Sequence, residues 1–179
     1  MLYLSSYDYL SNGGGLTGNV IITTISQSRR QRMLYQVIVA TILVSISVAL
    51  HAIGMVALFD RLIRFSLRFE QRVGTAGELL LLIQVFVFIL ALHLLQIGIW
   101  AGFYMRWGAV QDFETALYFS IVSYATVGYG DVVLPLQWRL VGAIEGITGI
   151  LLFGWSTGFI FVVVSKLYKI RLKGYKKTD

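Results

Sequence analysis

Three stretches of this sequence, roughly Gln36 to Phe59, Glu78 to Phe103 and Leu140 to Lys166, are long, apolar and almost free of charge. Crossing a hydrocarbon core about 30 Å thick takes about 20 mostly apolar residues of helix, and each stretch is long enough. Lipid offers no partner to a free backbone N–H or C=O, so such runs must be helices, and they are too unbroken for barrel strands. The β-branched residues of the first run, VIVATILVSISVAL, do not alter this, because in lipid the solvent overrides propensity. Composition agrees: 57% of the 179 residues are hydrophobic and 13% charged, with a mean hydropathy of +0.75. The expected fold class is an all-α membrane protein with three transmembrane helices.

The chain has no cysteine, which excludes disulfides, thiolate metal sites and cysteine nucleophiles. A net charge of +6 could point to nucleic acid. The basic residues, however, stand beside or between the spans, as the positive-inside rule arranges them, so no nucleic-acid partner is expected. Met1 to Leu16 lacks the basic start, apolar run and cleavage site of a targeting signal, and residues 1–33 are expected to be an arm preceding a first transmembrane helix at 34–60. Within the linker at 61–77, Arg61, Arg64, Arg68 and Arg72 recur at helical intervals opposite Leu62, Phe65 and Phe69. A voltage sensor would need such arginines inside the membrane among counter-charges. Here they predict an amphipathic helix on an anionic lipid surface.

Tyr104 to Arg139 is too apolar for a solvated loop and too interrupted for a fourth span. It is expected to enter the membrane and return. Asp112 and Glu114 precede apolar residues at helical spacing, predicting a short helix over Thr115 to Tyr124 with acidic residues in its first turn. Thr126-Val127-Gly128-Tyr129-Gly130-Asp131 follows. Extended backbone at membrane depth is tolerated only where protein buries it or a watery path runs beside it. The two glycines allow backbone angles that turn successive carbonyls toward one axis. Four such strands would form rings of oxygen able to replace the hydration shell of K⁺. K⁺ is then expected at Thr126, Val127, Gly128 and Tyr129, with Asp131 at the outer mouth. The Tyr129 side chain points away from the axis, its hydroxyl toward the short helix.

Ser123-Tyr-Ala-Thr-Val-Gly-Tyr-Gly-Asp131 resembles the signature of the potassium-channel pore family, and the likeness extends over about Glu78 to Lys166. The resemblance implies a K⁺-selective channel, a C4 homotetramer in which residues 78–166 form the pore domain: outer helix, re-entrant pore helix, selectivity-filter loop and inner helix. It implies no cofactor beyond the permeating ion. It also implies a plasma (inner) membrane protein with its filter outside, which places the basic tail at 167–179 in the cytoplasm. Three spans then leave the N-terminus outside, although Arg29, Arg30 and Arg32 locally oppose that orientation. The short tail leaves no room for a cytosolic gating domain, so gating is expected from the pore, lipids, pH, tension or a partner.

Gly149 stands where this family often has a hinge glycine, with Phe153 and Gly154 continuing the likeness; glycine there also suits close helix packing. Tyr118 and Phe119 replace paired tryptophans of many members, and Val122 replaces a pore-helix glutamate that some members pair with the outer aspartate. Glu145, inside the third run, either braces the filter from behind, lines the upper cavity, or is a protonated or hydrogen-bonded glutamate in the helix interface. His51 and His93 both fall within spans, as pH-sensing candidates or as neutral side chains bonded to a backbone carbonyl or to a residue such as Gln84 or Gln96. Alternatives to the selective channel are a nonselective cation channel and a silent or regulatory subunit. Catalysis is not expected, since no metal-ligating pair or converging nucleophile set is evident.

Overall fold

The computed structural model describes residues 17–68 and 75–175, and among these every regular element is a helix. The order is α1 (Thr17–Arg68), α2 (Thr75–Arg106), α3 (Phe113–Tyr124) and α4 (Arg139–Tyr175). Three of them, over Thr23–Arg64, Ala76–Arg106 and Arg139–Lys169, are long and apolar enough to cross a membrane. The chain is thus a multi-pass membrane protein of channel-like, all-α architecture.

α1 is a single helix through the second part of the expected arm, the expected first span and the start of the expected linker. Between Asn19 and Ile53 the sequence contains no glycine or proline, and Gln27 to Arg32 are mostly good helix formers, so nothing interrupts the backbone ladder. Packing is more selective than helicity. Residues 23–35 are exposed all round, whereas Gln36, Ala40, Leu43, Ser47, His51, Met55 and Leu58 are buried. That stripe recurs every three or four residues, the period of one helix face. The part of α1 that packs therefore coincides with the expected span. Residues 1–16, 69–74 and 176–179 lie outside the described residues, and with them the first half of the expected arm and Arg72.

α2, α3 and α4 pack on one another and α1 packs chiefly on α4 and α2. One buried cluster at the α3 end joins Leu43, Ile97, Trp100, Tyr104, Tyr124, Trp138 and Val141. A second, smaller one joins Met55, Leu58, Val85, Ile89 and Val163. Small residues set the distances. A Cβ on Gly54 would lie 2.6 Å from Leu92 Cδ2, and one on Gly149 would fall inside contact distance of the Tyr124 carbonyl oxygen. Gly149 thus lets α4 run against the backbone at the end of α3.

Candidate functional site

The site is built on the two ends of α3. Asp112 caps its start: extended backbone at φ −124° frees the side chain to accept a 2.8 Å bond from the Thr115 N–H. That bond holds the exposed Asp112 carboxyl below its ordinary pKa.

The other end stops in a six-residue wrap. Thr126 N–H bonds to the Ser123 carbonyl at 2.9 Å and Val127 N–H to the Val122 carbonyl at 2.9 Å. This is a Schellman arrangement, which requires one left-handed residue. That residue is Thr126, with φ +58°. Glycine is usual here, and a β-branched side chain in this region costs roughly 1–2 kcal/mol. The Thr126 hydroxyl donates to the Ala125 carbonyl at 2.7 Å.

Beyond the cap the backbone alternates. Gly128 and Gly130 have φ +59° and +78°, so every second residue from Thr126 to Gly130 is left-handed. All residues from Ala125 to Asp131 are exposed. Among the described residues no hydrogen bond is donated to a carbonyl of Thr126 to Gly130. The carbonyls of Asp131, Val132 and Val133 likewise accept no bond among the described residues, so the alternating segment opens a longer run of carbonyls left for another ligand. Val127 is 51% and Tyr129 72% exposed in the single chain.

Asp131 is tied back to α3. The Tyr118 hydroxyl donates to its Oδ2 at 2.7 Å, and its Oδ1 accepts from Val132 N–H at 3.0 Å. The tyrosine hydroxyl holds this exposed carboxyl below its ordinary range. Tyr118, noted in the sequence only as a departure from a family pattern, is thus the α3 partner of the aspartate. Its signal was weak: a phenol 13 residues before an acid, on a helix whose direction had to be known first.

Glu145 is fully buried behind α3. Tyr104 donates to its Oε2 at 2.8 Å, and the Ser120 hydroxyl lies beside the same carboxyl. Glu145 is a hydrogen-bonded glutamate in the helix interface, against Tyr104 of α2 and beside Ser120 of α3. His51 and His93 meet, their ring centroids 5.2 Å apart. His93 bonds to Tyr124 and Ser156, and His51 to Gln96 and Ser156. A Cβ on Gly154 would meet nothing within 4 Å, unlike one on Gly149. Arg61 and Arg64 are exposed near the end of α1, and Arg68 is its last residue.

The Ser156 and His93 pair has the spacing of a nucleophile and base, but its oxygen is shared with His51 and both residues are buried. Among the described residues no group of three or more His, Asp or Glu could hold a metal ion. Neither arrangement is a catalytic motif.

Residues 79–166, just under half of the chain, match the family model described as ion channel. Comparison with curated proteins and with solved structures finds no match. The family match and the three-span bundle support a channel or transport function, and most of α2, all of α3, the Thr126–Asp131 segment and most of α4 lie inside the matched region.

Proposed function

We propose that this chain is one subunit of a tetrameric channel that conducts K⁺ passively, with Thr126 to Gly130 as its selectivity filter and Asp131 at its outer mouth. The observation that carries the reading is the alternating left-handed backbone at Thr126, Gly128 and Gly130 over carbonyls that accept no bond. In an ordinary strand successive carbonyls point to opposite sides. Alternating handedness brings successive polar groups of the backbone to one side instead, the geometry of an ion-binding concavity. Carbonyl rings contributed by several copies supply the oxygens that replace water around a dehydrated K⁺.

The surrounding helices suit that task. α3 aims its C-terminal, partially negative end toward the segment. In this reading it is the re-entrant pore helix, α2 is the outer helix and α4 the inner one. Exposed Val127 and Tyr129 side chains are available to pack against neighbouring copies. The selective channel is favoured over a nonselective one because both glycines occupy the left-handed positions that the alternation requires. With the filter outside, the C-terminus is cytoplasmic, the N-terminus is outside, and Arg61, Arg64 and Arg68 meet the anionic inner leaflet.

Flux from liposomes carrying the purified chain tests this. K⁺ is expected to pass with strong preference over Na⁺, and Gly128→Ala/Gly130→Ala is expected to lose that preference. Equal K⁺ and Na⁺ flux through the unaltered protein would replace the selective reading with a nonselective one.

A further inference from the structure

Five buried side chains from all four helices close a ring: His51 on α1, Gln96 and His93 on α2, Tyr124 on α3 and Ser156 on α4. The contacts are Gln96 Nε2 to His51 Nδ1 at 3.1 Å, His51 Nε2 to Ser156 Oγ at 3.2 Å, Ser156 Oγ to His93 Nε2 at 3.0 Å and His93 Nδ1 to Tyr124 at 3.1 Å. Tyr124 closes the ring by donating to Gln96 Oε1.

One group outside the ring sets its direction. The Ser47 backbone carbonyl, which can only accept, lies 3.4 Å from Gln96 Nε2. The amide nitrogen of Gln96 therefore faces α1, and it must donate to His51 Nδ1 as well. His51 Nδ1 is then bare and its proton sits on Nε2, from which it donates to Ser156. In the other direction the single Tyr124 proton is committed to Gln96 Oε1, so His93 must donate from Nδ1 to the phenol oxygen. His93 Nε2 is left to accept the Ser156 proton. Every member donates once and accepts once around the ring, with two neutral imidazoles in opposite tautomers. Such one-directional networks polarise and strengthen their members.

An extra proton has no place in it. Imidazolium has two donors and no acceptor, so protonating His51 repels the Gln96 amide and protonating His93 repels the Ser156 hydroxyl. Among the described residues no carboxylate bonds to either imidazole. From α1 and α2 the imidazoles face each other, from α3 the Tyr124 hydroxyl, and from α4 Ser156 with the rings of Phe153 and Trp155. The carboxylate of α4, Glu145, bonds to Tyr104 and to neither imidazole; it lies roughly 16 Å from Ser156 along α4 at 1.5 Å per residue, and within the ring its charge reaches Tyr124.

Tyr124 is the last residue of α3, two before the left-handed Thr126. We propose that the ring latches the first and last helices to the end of α3 only while both imidazoles are neutral, so that acid releases α3 and the Thr126–Asp131 segment with it. The first helix is then part of a conformational switch rather than a peripheral anchor. The consequence for conduction rests on the channel reading; the ring itself does not.

Two experiments separate these. The chain has only two histidines, so nitrogen NMR of the full chain in bilayers, labelled at histidine, resolves both tautomers. At neutral pH one imidazole is expected to carry its proton on Nε2 and the other on Nδ1, and both are expected to leave those states over one shared interval on acidification. Matching tautomers, or one histidine titrating while the other keeps its state, would overturn the ring whether or not the protein conducts. In the flux assay, lowering pH from about 7.5 to about 4, through and below the range of a free imidazole because the ring disfavours the extra proton, is expected to cut K⁺ flux by about fivefold or more. His51→Gln/His93→Gln keeps a donor and an acceptor at each position with nothing to titrate, and is expected to remove that response. An unresponsive parent, or an equal response in the double variant, would overturn the acid release.

Discussion

Two helices of this protein end in the same cap with different residues. At the end of α2, Gly108 N–H bonds to the Met105 carbonyl and Ala109 N–H to the Tyr104 carbonyl, with Gly108 at φ +63°. At the end of α3 the equivalent left-handed position holds Thr126 at φ +58°. The first is the usual solution, because glycine adopts this conformation without a Cβ penalty. The second costs roughly 1–2 kcal/mol and persists only where its surroundings over-determine it. Glycine serves where a helix need only stop, and a strained threonine in its place supports the proposal that the second end is the working one. The surroundings agree: Gly149 seats α4 on the Tyr124 carbonyl, and Tyr124 is held by the buried ring.

The largest break in this comparison is expected from Gly149→Ala. Its methyl group would meet backbone rather than a yielding side chain, and overpacking of this kind costs about 3 kcal/mol. A large fall in thermal midpoint of the purified protein is the expected reading. Gly154→Ala, where a Cβ meets nothing, is the control and should leave the midpoint nearly unchanged. An equal fall in both would locate the sensitivity in helix flexibility instead of packing.

Exchanging the cap residues sharpens it further. Gly108→Thr should destabilise by about 1–2 kcal/mol through left-handed strain. Thr126→Gly should stabilise by about 0.5–1 kcal/mol, the relieved strain less the added freedom of the unfolded chain. The same substitution removes the hydroxyl and is expected to impair K⁺ selectivity, a gain in stability with a loss of function. Denaturation of both variants alongside flux checks the opposite signs.

The smallest effect is electrostatic. The Tyr118 hydroxyl stabilises the charged form of Asp131, so the carboxylate is present at neutral pH and is lost only as pH falls below the ordinary carboxylate range. Tyr118→Phe removes that support and should move the Asp131 titration upward toward its usual value, read by carboxyl NMR, with the fold unchanged. A titration that stays put would assign the support to Val132 N–H alone.

Much of the fold was legible because apolar length in lipid has few solutions. The buried stripe of α1, Gln36 to Leu58, lies where the first apolar run predicts it, and α3 differs from expectation by only two residues at its start, fixed by the Asp112 cap. The extent of α1 was not legible, since hydropathy marks where a helix meets lipid and not where the backbone ladder stops. In the site, the glycines at 128 and 130 carried their own signal. Thr126 did not, because left-handed backbone is not expected of a β-branched residue. His51, His93, Gln96 and Ser156 are single polar residues among apolar neighbours, but their closure with Tyr124 into one ring depends on the rotation of four helices, which no spacing along one helix contains.

The central claim is that the carbonyls of Thr126 to Tyr129 hold dehydrated K⁺. Crystals of the channel grown with rubidium, a K⁺ substitute of nearly the same size, test it by anomalous diffraction. A row of anomalous peaks along the shared axis of the assembly, each ringed by oxygens of Thr126 to Tyr129 and missing in Gly128→Ala/Gly130→Ala, is the predicted result. An ordered segment with no peak beside it, or peaks confined to Asp131, would contradict it.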